Sequence, residues 1–364
     1  MPRRITGRYE LPPLDPPIVM DELITERHRK AEQALIRLEV AGEMAPSLDW
    51  FIYAFVRKEA VLSSQIEGTQ ATLVDLLSFE AQARGEEQAP PNADVEEICN
   101  YLEALTYARA QLADAKGLPL SMRLLDETHR RLMRGSRPGN AACVPPPPQA
   151  LGSALGSFEK YLRESDALPP LVRAGLLHVQ FETIHPYLDG NGRIGRLLVT
   201  LLLEHWGLLK KPLLYLSLFF KRHRNDYYHK LNEVRVEGDW ESWLLFFLDG
   251  VATIADEAVE TARDLSALVS MDRARVLAQE GASIAVLRLF EQLPRHPILT
   301  TASVMKLVET TKPTAGRAID LLVSAGVLRE TTGKKRDRSF VYEAYLDRLR
   351  VGTELEFIRS HPRD

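Results

Sequence analysis

Cysteine is almost absent from this chain: 2 in 364 residues, Cys99 and Cys143. Neither stands at metal-ligand spacing, and the pair gives no disulfide framework. Long apolar runs are missing too. No stretch of about 18 apolar residues occurs, which excludes a helical membrane span by length. The opening Met1-Pro2-Arg3-Arg4 leads into no apolar core. No secretory signal is therefore expected, and a cytoplasmic location is the default. A net charge of −4 excludes a protein that coats nucleic acid by bulk charge. Hydrophobic content of 45% and charged content of 26% are those of an ordinary soluble globular protein. The length allows two or three domains.

The most informative stretch runs His185-Pro186-Tyr187-Leu188-Asp189-Gly190-Asn191-Gly192-Arg193-Ile194-Gly195-Arg196. Apolar runs at helical spacing flank it, Leu171–Phe181 before and Leu197–Leu203 after, so it reads helix, loop, helix. Gly190, Asn191 and Gly192 can turn successive backbone N–H groups towards one point. The following helix N-terminus adds partial positive charge, which makes the loop a candidate anion site. Arg193 and Arg196 lie three apart on the first turn and can both fork onto phosphate oxygens. Asp189 is a hard oxygen ligand suited to Mg²⁺ bridging phosphates. His185 precedes the loop, where a base beside an anion site belongs. A plain hairpin turn needs alternating strands on both sides, and the flanks are helical instead. A calcium loop needs an oxygen ligand where Arg193 stands and a Glu where Thr200 stands.

This stretch resembles the signature of the Fic family, His-Pro-Phe-x-[Asp/Glu]-Gly-Asn-Gly-Arg-x-x-Arg, with Tyr187 in place of Phe. The resemblance implies transfer of AMP from ATP to a hydroxyl side chain of a protein. It implies that His185 deprotonates the target hydroxyl and that Asp189 holds Mg²⁺. Asn191 and the amides of Gly190 and Gly192 would hold the phosphates, with Arg193 supporting them and Arg196 meeting the γ-phosphate. The implied fold is mainly α: a Fic-type helical bundle with an N-terminal helical segment.

Earlier in the chain, Ser63-Ser64-Gln65-Ile66-Glu67-Gly68 ends a helix expected from Trp50 to about Ile66. Gly68 suits the helix stop. Glu67 opposes the helix dipole, so it is either a solvated side chain or the partner of a cation. Ser63, Glu67 and Gly68 also match the inhibitory motif [Ser/Thr]-x-x-x-Glu-[Gly/Asn] of Fic proteins, at the N-terminal position of the subgroup called class II. By that resemblance Glu67 pairs with Arg196 and occupies the donor that the γ-phosphate needs. Two further readings use the same parts. Glu67 could orient a water that removes AMP from a modified protein, or the domain could only sense nucleotide. Family members also imply a possible homodimer.

The rest of the chain frames these motifs. Residues 1–20 read as a proline-rich extended arm, and 20–41 as an amphipathic helix, with Ser47 or Asp49 capping the next. Asp94 is expected to cap a helix to about Leu112. Further helices are expected over 121–133, 150–163 and 169–181. The short segment 135–144 leaves little room for the hairpin, or flap, that the family uses to lay a target across the site. His178 reads as a core histidine. In Lys221–Val236, Tyr227 is either core or an adenine neighbour, and Tyr228 and Arg235 are candidate nucleotide contacts by resemblance. A helix is expected over 240–263, with 271–281 as a connection.

Residues 281–364 carry a net charge of +4, against −8 for the remainder, which marks a separate module. Helices over 284–293, from Thr300 or Thr301 to Val308, and from 312 to Ala325 are followed by strands over 327–330 and 339–342. That order resembles a small winged-helix (α+β) domain. Lys312, Thr314, Arg317, Lys334, Lys335, Arg336 and Arg338 make DNA a possible partner through 300–342, against a protein-interaction module or a structural cap. The tail 345–358 reads as a helix. The domains read as an arm and inhibitory region over 1–85, a Fic core over 86–270 and the module over 281–364.

Overall fold

The computed structural model describes residues 18–44, 47–84, 91–135, 148–164, 168–333 and 338–355. The proline-rich arm before residue 18, nearly all of the short 135–144 segment, the basic residues 334–336 and the end of the tail lie outside these. Helices α1 (Glu22–Glu43), α2 (Leu48–Ile66), α3 (Leu73–Arg84), α4 (Ala93–Ala113), α5 (Met122–Leu132) and α6 (Pro148–Arg163) come first. They are followed by α7 (Pro170–Ile184), α8 (Asn191–His205), α9 (Ser217–Arg222), α10 (Arg224–Glu237) and the long α11 (Trp240–Leu277). The remainder is α12 (Ile284–Gln292), β1 (Ile298–Thr300), α13 (Thr301–Leu307), α14 (Lys312–Ser324), β2 (Arg329–Glu330), β3 (Ser339–Val341) and α15 (Glu343–Leu349). The protein is mainly helical, with a small α+β part at the C-terminal end. No helix among the described residues is long and apolar enough to cross a membrane.

The chain forms two compact units. The first comprises the described residues of Met1–Ile36, Asn100–Lys210 and Phe219–Ala255. Its centre is the α7–α8 pair. Both helices are buried on almost every face, as their near-continuous apolar sequences require. Gly175 lets α11 approach α7, since a Cβ there would sit 2.8 Å from a ring carbon of Phe247. Beside it, Trp243 Nε1 donates to Gly175 O at 2.8 Å. On the rim, Arg109 forks onto Glu204 (2.8–3.0 Å), which fastens α4 to α8.

The second unit comprises the described residues of Arg37–Cys99, Lys211–Leu218 and Asp256–Asp364. Here α3 packs against β1 and α13. The antiparallel sheet has the order β1-β3-β2, with Leu299 opposite Phe340 and Arg329 opposite Val341. Thr300 and Ser303 form a reciprocal capping box at the start of α13. Buried Glu59 on α2 accepts from the Ser217 N–H (3.0 Å) and from its hydroxyl. Tyr342 donates to Asp272 on α11 at 2.7 Å.

Several sequence expectations need correction. Asn92, not Asp94, caps α4: its Oδ1 accepts from Val95 N–H at 2.8 Å, which is the reach of the residue just outside the helix. The stretch 271–277 is not a connection, because α11 continues through it to Leu277. Leu265, Leu268, Val269, Asp272 and Val276 are buried along one helical face, so the period outlasts the charged residues between them. The helix of the tail ends at Leu349; Gly352 at φ 85 turns the chain away. Helix α3 and strand β1 had no sequence counterpart.

Candidate active site

The signature loop joins α7 to α8 within the first unit. Helix α7 ends with His185 in the left-handed region, φ 49 and ψ 59, and its N–H donates to Phe181 O at 2.9 Å. A residue with a Cβ in that region is strained by about 1–2 kcal/mol, and such residues cluster at functional sites. At the other end Gly190 (φ 80, ψ 5) is the residue before α8. A Cβ there would lie 2.8 Å from Met133 Sδ, so glycine answers both the backbone and the packing. The intrahelical ladder begins with Ile194 N–H to Gly190 O at 3.0 Å. The amides before it point out of the helix end, where the helix dipole is positive.

Asn191 shapes the loop rather than merely lining it. Its Oδ1 accepts from Tyr187 N–H at 2.9 Å and its Nδ2 donates to Tyr187 O at 2.6 Å. With only 2% of its surface exposed, the side chain is an internal brace. Asp189 Oδ1 accepts from Gly190 N–H at 2.6 Å and lies 3.8 Å from Arg193 Nη2. The same guanidinium donates to Met133 Sδ at 3.6 Å. Arg193 and Arg196 are both buried, 3% and 2% exposed.

A support from α5 was not visible in the sequence. His129 Nε2 donates to Asp189 O at 2.9 Å, which fixes the proton on that nitrogen. Burial holds its pKa below the ordinary imidazole value. Its ring stacks on Tyr187, centroids 3.8 Å apart. The Tyr187 hydroxyl in turn donates to Asp126 Oδ1 at 2.8 Å. Burial, then Asp126, drives that phenol above its ordinary range. Asp126, His129 and Met133 are spaced three and four apart, so one face of α5 and its C-cap carries all three. The spacing alone gave no sign that its partner lay some 60 residues away.

Behind the loop, His178 is the core residue that its position suggested. Nδ1 meets Gly195 O at 2.9 Å and therefore donates; Nε2, at 3.0 Å, then accepts from the Tyr227 hydroxyl. Burial lowers its pKa to about 3, so it is neutral. Tyr227 is buried with it, whereas Tyr228 is 43% exposed, with the Arg224 guanidinium 5.8 Å from its ring centre. Arg235 donates to Thr183 O at 3.1 Å, two residues before His185.

The second motif lies in the other unit. Ser63 is fully buried, Glu67 is the exposed C-cap of α2, and Gly68 follows with φ 108. No group of three or more His, Cys, Asp or Glu side chains is assembled to hold a metal among the described residues. The single carboxylate of Asp189 fits a metal that takes its other ligands from phosphate and water.

Residues 25–110 match the Fic/DOC family N-terminal model, and residues 119–203 match the Fic/DOC family model. A protein of Drosophila grimshawi named Protein adenylyltransferase Fic is 30% identical over 207 residues, 52% of this chain and 41% of its own length. Its namesake in Nematostella vectensis is 29% identical over 163 residues, 41% of this chain and 36% of its own. The chain thus spans about two-fifths of the length of these curated relatives. Among solved structures, a Fic family protein from Desulfovibrio desulfuricans G20 superposes with a TM-score of 0.55 at 21% identity, over 90% of this chain and 98% of that one. Fic-1 from C. elegans gives 0.51 at 20% identity, over 68% and 75%. The helical bundle around the α7–α8 loop is thus the fold these proteins share, and residues 25–110 and 119–203 form a Fic/DOC family N-terminal domain and a Fic/DOC family domain.

Proposed function

We propose that the protein is an adenylyltransferase that moves AMP from Mg·ATP to the hydroxyl of a Ser, Thr or Tyr on a protein. One observation carries this reading: His185, held in a strained left-handed turn, and the open amide end of α8 bracket a single braced loop. A base and an anion-binding helix end lie within one short segment.

The roles follow from the residue chemistry. His185 takes the proton of the target hydroxyl as its oxygen bonds to the α-phosphorus. The bond from that phosphorus to the bridging oxygen of the β-phosphate breaks, and pyrophosphate leaves. The amides at the start of α8, with Arg193 and Arg196, offset the phosphate charge. Asp189 would hold Mg²⁺, which would neutralise part of the triphosphate charge. Tyr228 and Arg235, on α10, are assigned to the base and sugar side. Glu67 restrains the reaction by competing with the γ-phosphate for Arg196; Ser63 and Gly68 set the helix end that presents it.

A second role belongs to the C-terminal part. Its order α-β-α-α-β-β supports a winged-helix reading, and α14 exposes Lys312 and Arg317. This favours a nucleic-acid contact through α14, alongside the transferase.

Incubation with ATP labelled at the α-phosphorus tests the reading. Label should pass to protein, and label at the γ-phosphorus should not. Loss of label from a previously modified protein, with no forward transfer, would favour the reverse reaction. Nucleotide-dependent DNA binding with no transfer at all would favour a sensor.

A further inference from the structure

Glu67 shares its compact unit with the C-terminal module, not with the signature loop. The connection inside that unit is specific. Gln65, two residues before Glu67, has its side-chain amide buried and donating twice: to Ala71 O at 2.9 Å and to Thr353 O at 2.8 Å. The first bond closes the turn that carries Glu67. The second ties that turn to the chain beyond α15.

Both sides of the tie are rigid. On the α2 side, Gly68 N–H bonds to Gln65 O at 3.1 Å and Thr69 N–H to Ser64 O at 3.2 Å. Helix α3 then starts at once, with Thr72 and Asp75 capping each other. On the far side, Thr353 is 1% exposed and its N–H and hydroxyl both donate to Arg350 O, at 2.8 and 2.7 Å. Gly352 takes φ 85, and any Cβ there would run into Leu218. Tyr345, Leu346 and Leu349 seat α15 in the core. The carbonyl that Gln65 grips is therefore not on a loose tail but at a fixed point of the module.

We infer that Gln65 is a positioning residue for Glu67, and that the segment 350–355 sets the inhibitory turn through it. The inference rests on the reading of Glu67 as an inhibitor. A displacement of α15 and its following turn is then felt at Glu67 through one side-chain amide. The C-terminal module becomes the input to the transferase, and the 350–355 turn its output.

Three full-length variants test this: Gln65→Met, which keeps the volume and removes both donors; Gly352→Ala, which disturbs the tie from its other end; and Glu67→Gly. Two readouts are needed, transfer of α-labelled AMP and hydrogen exchange at the amides of 67–69. Loss of a buried hydrogen bond shifts a local equilibrium by about fivefold. Gln65→Met and Gly352→Ala should each speed exchange at 67–69 by about that factor and raise transfer towards the Glu67→Gly level. Gln65→Met combined with Glu67→Gly should be no faster than Glu67→Gly alone, which a general loss of structure would not produce. Unchanged exchange at 67–69 in a folded Gln65→Met protein overturns the inference. So does wild-type transfer in Gln65→Met when Glu67→Gly is activated. If Glu67→Gly itself is not activated, inhibition by Glu67 is wrong, and the exchange data still decide whether the tie exists.

Discussion

The side-chain amide of Asn191 closes on the backbone of Tyr187 from both sides, taking its N–H at 2.9 Å and giving to its carbonyl at 2.6 Å. The loop that presents His185 and Asp189 is thus held by a residue at its own far end. Asn191→Ala should strand two backbone groups and cost about 1–3 kcal/mol each where they stay dry. The thermal midpoint should fall and transfer should fall more steeply than stability. A folded Asn191→Ala protein with wild-type transfer would show that the brace is dispensable.

Gly190 is required by conformation as well as by space. Gly190→Ala must hold a Cβ at φ 80, which costs about 1–2 kcal/mol before any clash with Met133. Gly207, at φ 71 with open space around it, isolates the conformational part. Denaturant titration should show Gly190→Ala destabilised by more than Gly207→Ala; equal losses would mean that Met133 simply moves aside.

Tyr187 stands where the family pattern has Phe. Its ring does the packing, stacked on His129, while its hydroxyl adds one bond to exposed Asp126. Tyr187→Phe should cost only about 0.5–1.5 kcal/mol and leave transfer intact. Tyr187→Ala should lose both. A Tyr187→Phe enzyme that folds but does not transfer would assign the hydroxyl a role that the geometry does not suggest.

His178 gives a pH dependence of defined sign. Its folded pKa is about 3, below the ordinary 6.5, because burial penalises the charged ring. Between those values the unfolded chain binds the proton and the folded one does not. Stability therefore falls as pH drops from about 6.5 towards 3, and the group contributes no slope above that range. Melting curves across this range should flatten in His178→Gln, once its lower starting stability is subtracted. His296, buried and lowered to about 3 as well, leaves a residual slope in that variant. An unchanged slope would place the proton uptake elsewhere.

The signature loop was legible because it is local: twelve consecutive residues fix the turn, the helix start and the order of charged groups. The cap of α13 was legible for the same reason, narrowed to Thr300 or Thr301, since a cap speaks only to its own first turn; the structure selects Thr300. What sequence could not show was contact at a distance. His129 and Asp126 gain their meaning from Tyr187 and Asp189, about 60 residues on. Gln65 gains its meaning from Thr353. Strand β1 has three residues and becomes a strand only through β3, 41 positions later by the Ile298–Val341 and Thr300–Ser339 pairing's mean offset. Helix α3 has weak amphipathic patterning, and it buries Leu73, Leu76, Leu77 and Ala81 in a unit where it packs against β1 and α13, which come far later in the chain.

In the proposed reaction His185 starts the transfer of an adenylyl group. The most direct measurement is intact mass of the protein and of candidate targets after incubation with Mg·ATP, in a Glu67→Gly background with and without His185→Ala. An adenylyl adduct should form on protein in the first and not in the second, with both equally folded. An adduct that forms at the same rate without the imidazole, or no adduct in either while ATP still binds, would contradict it.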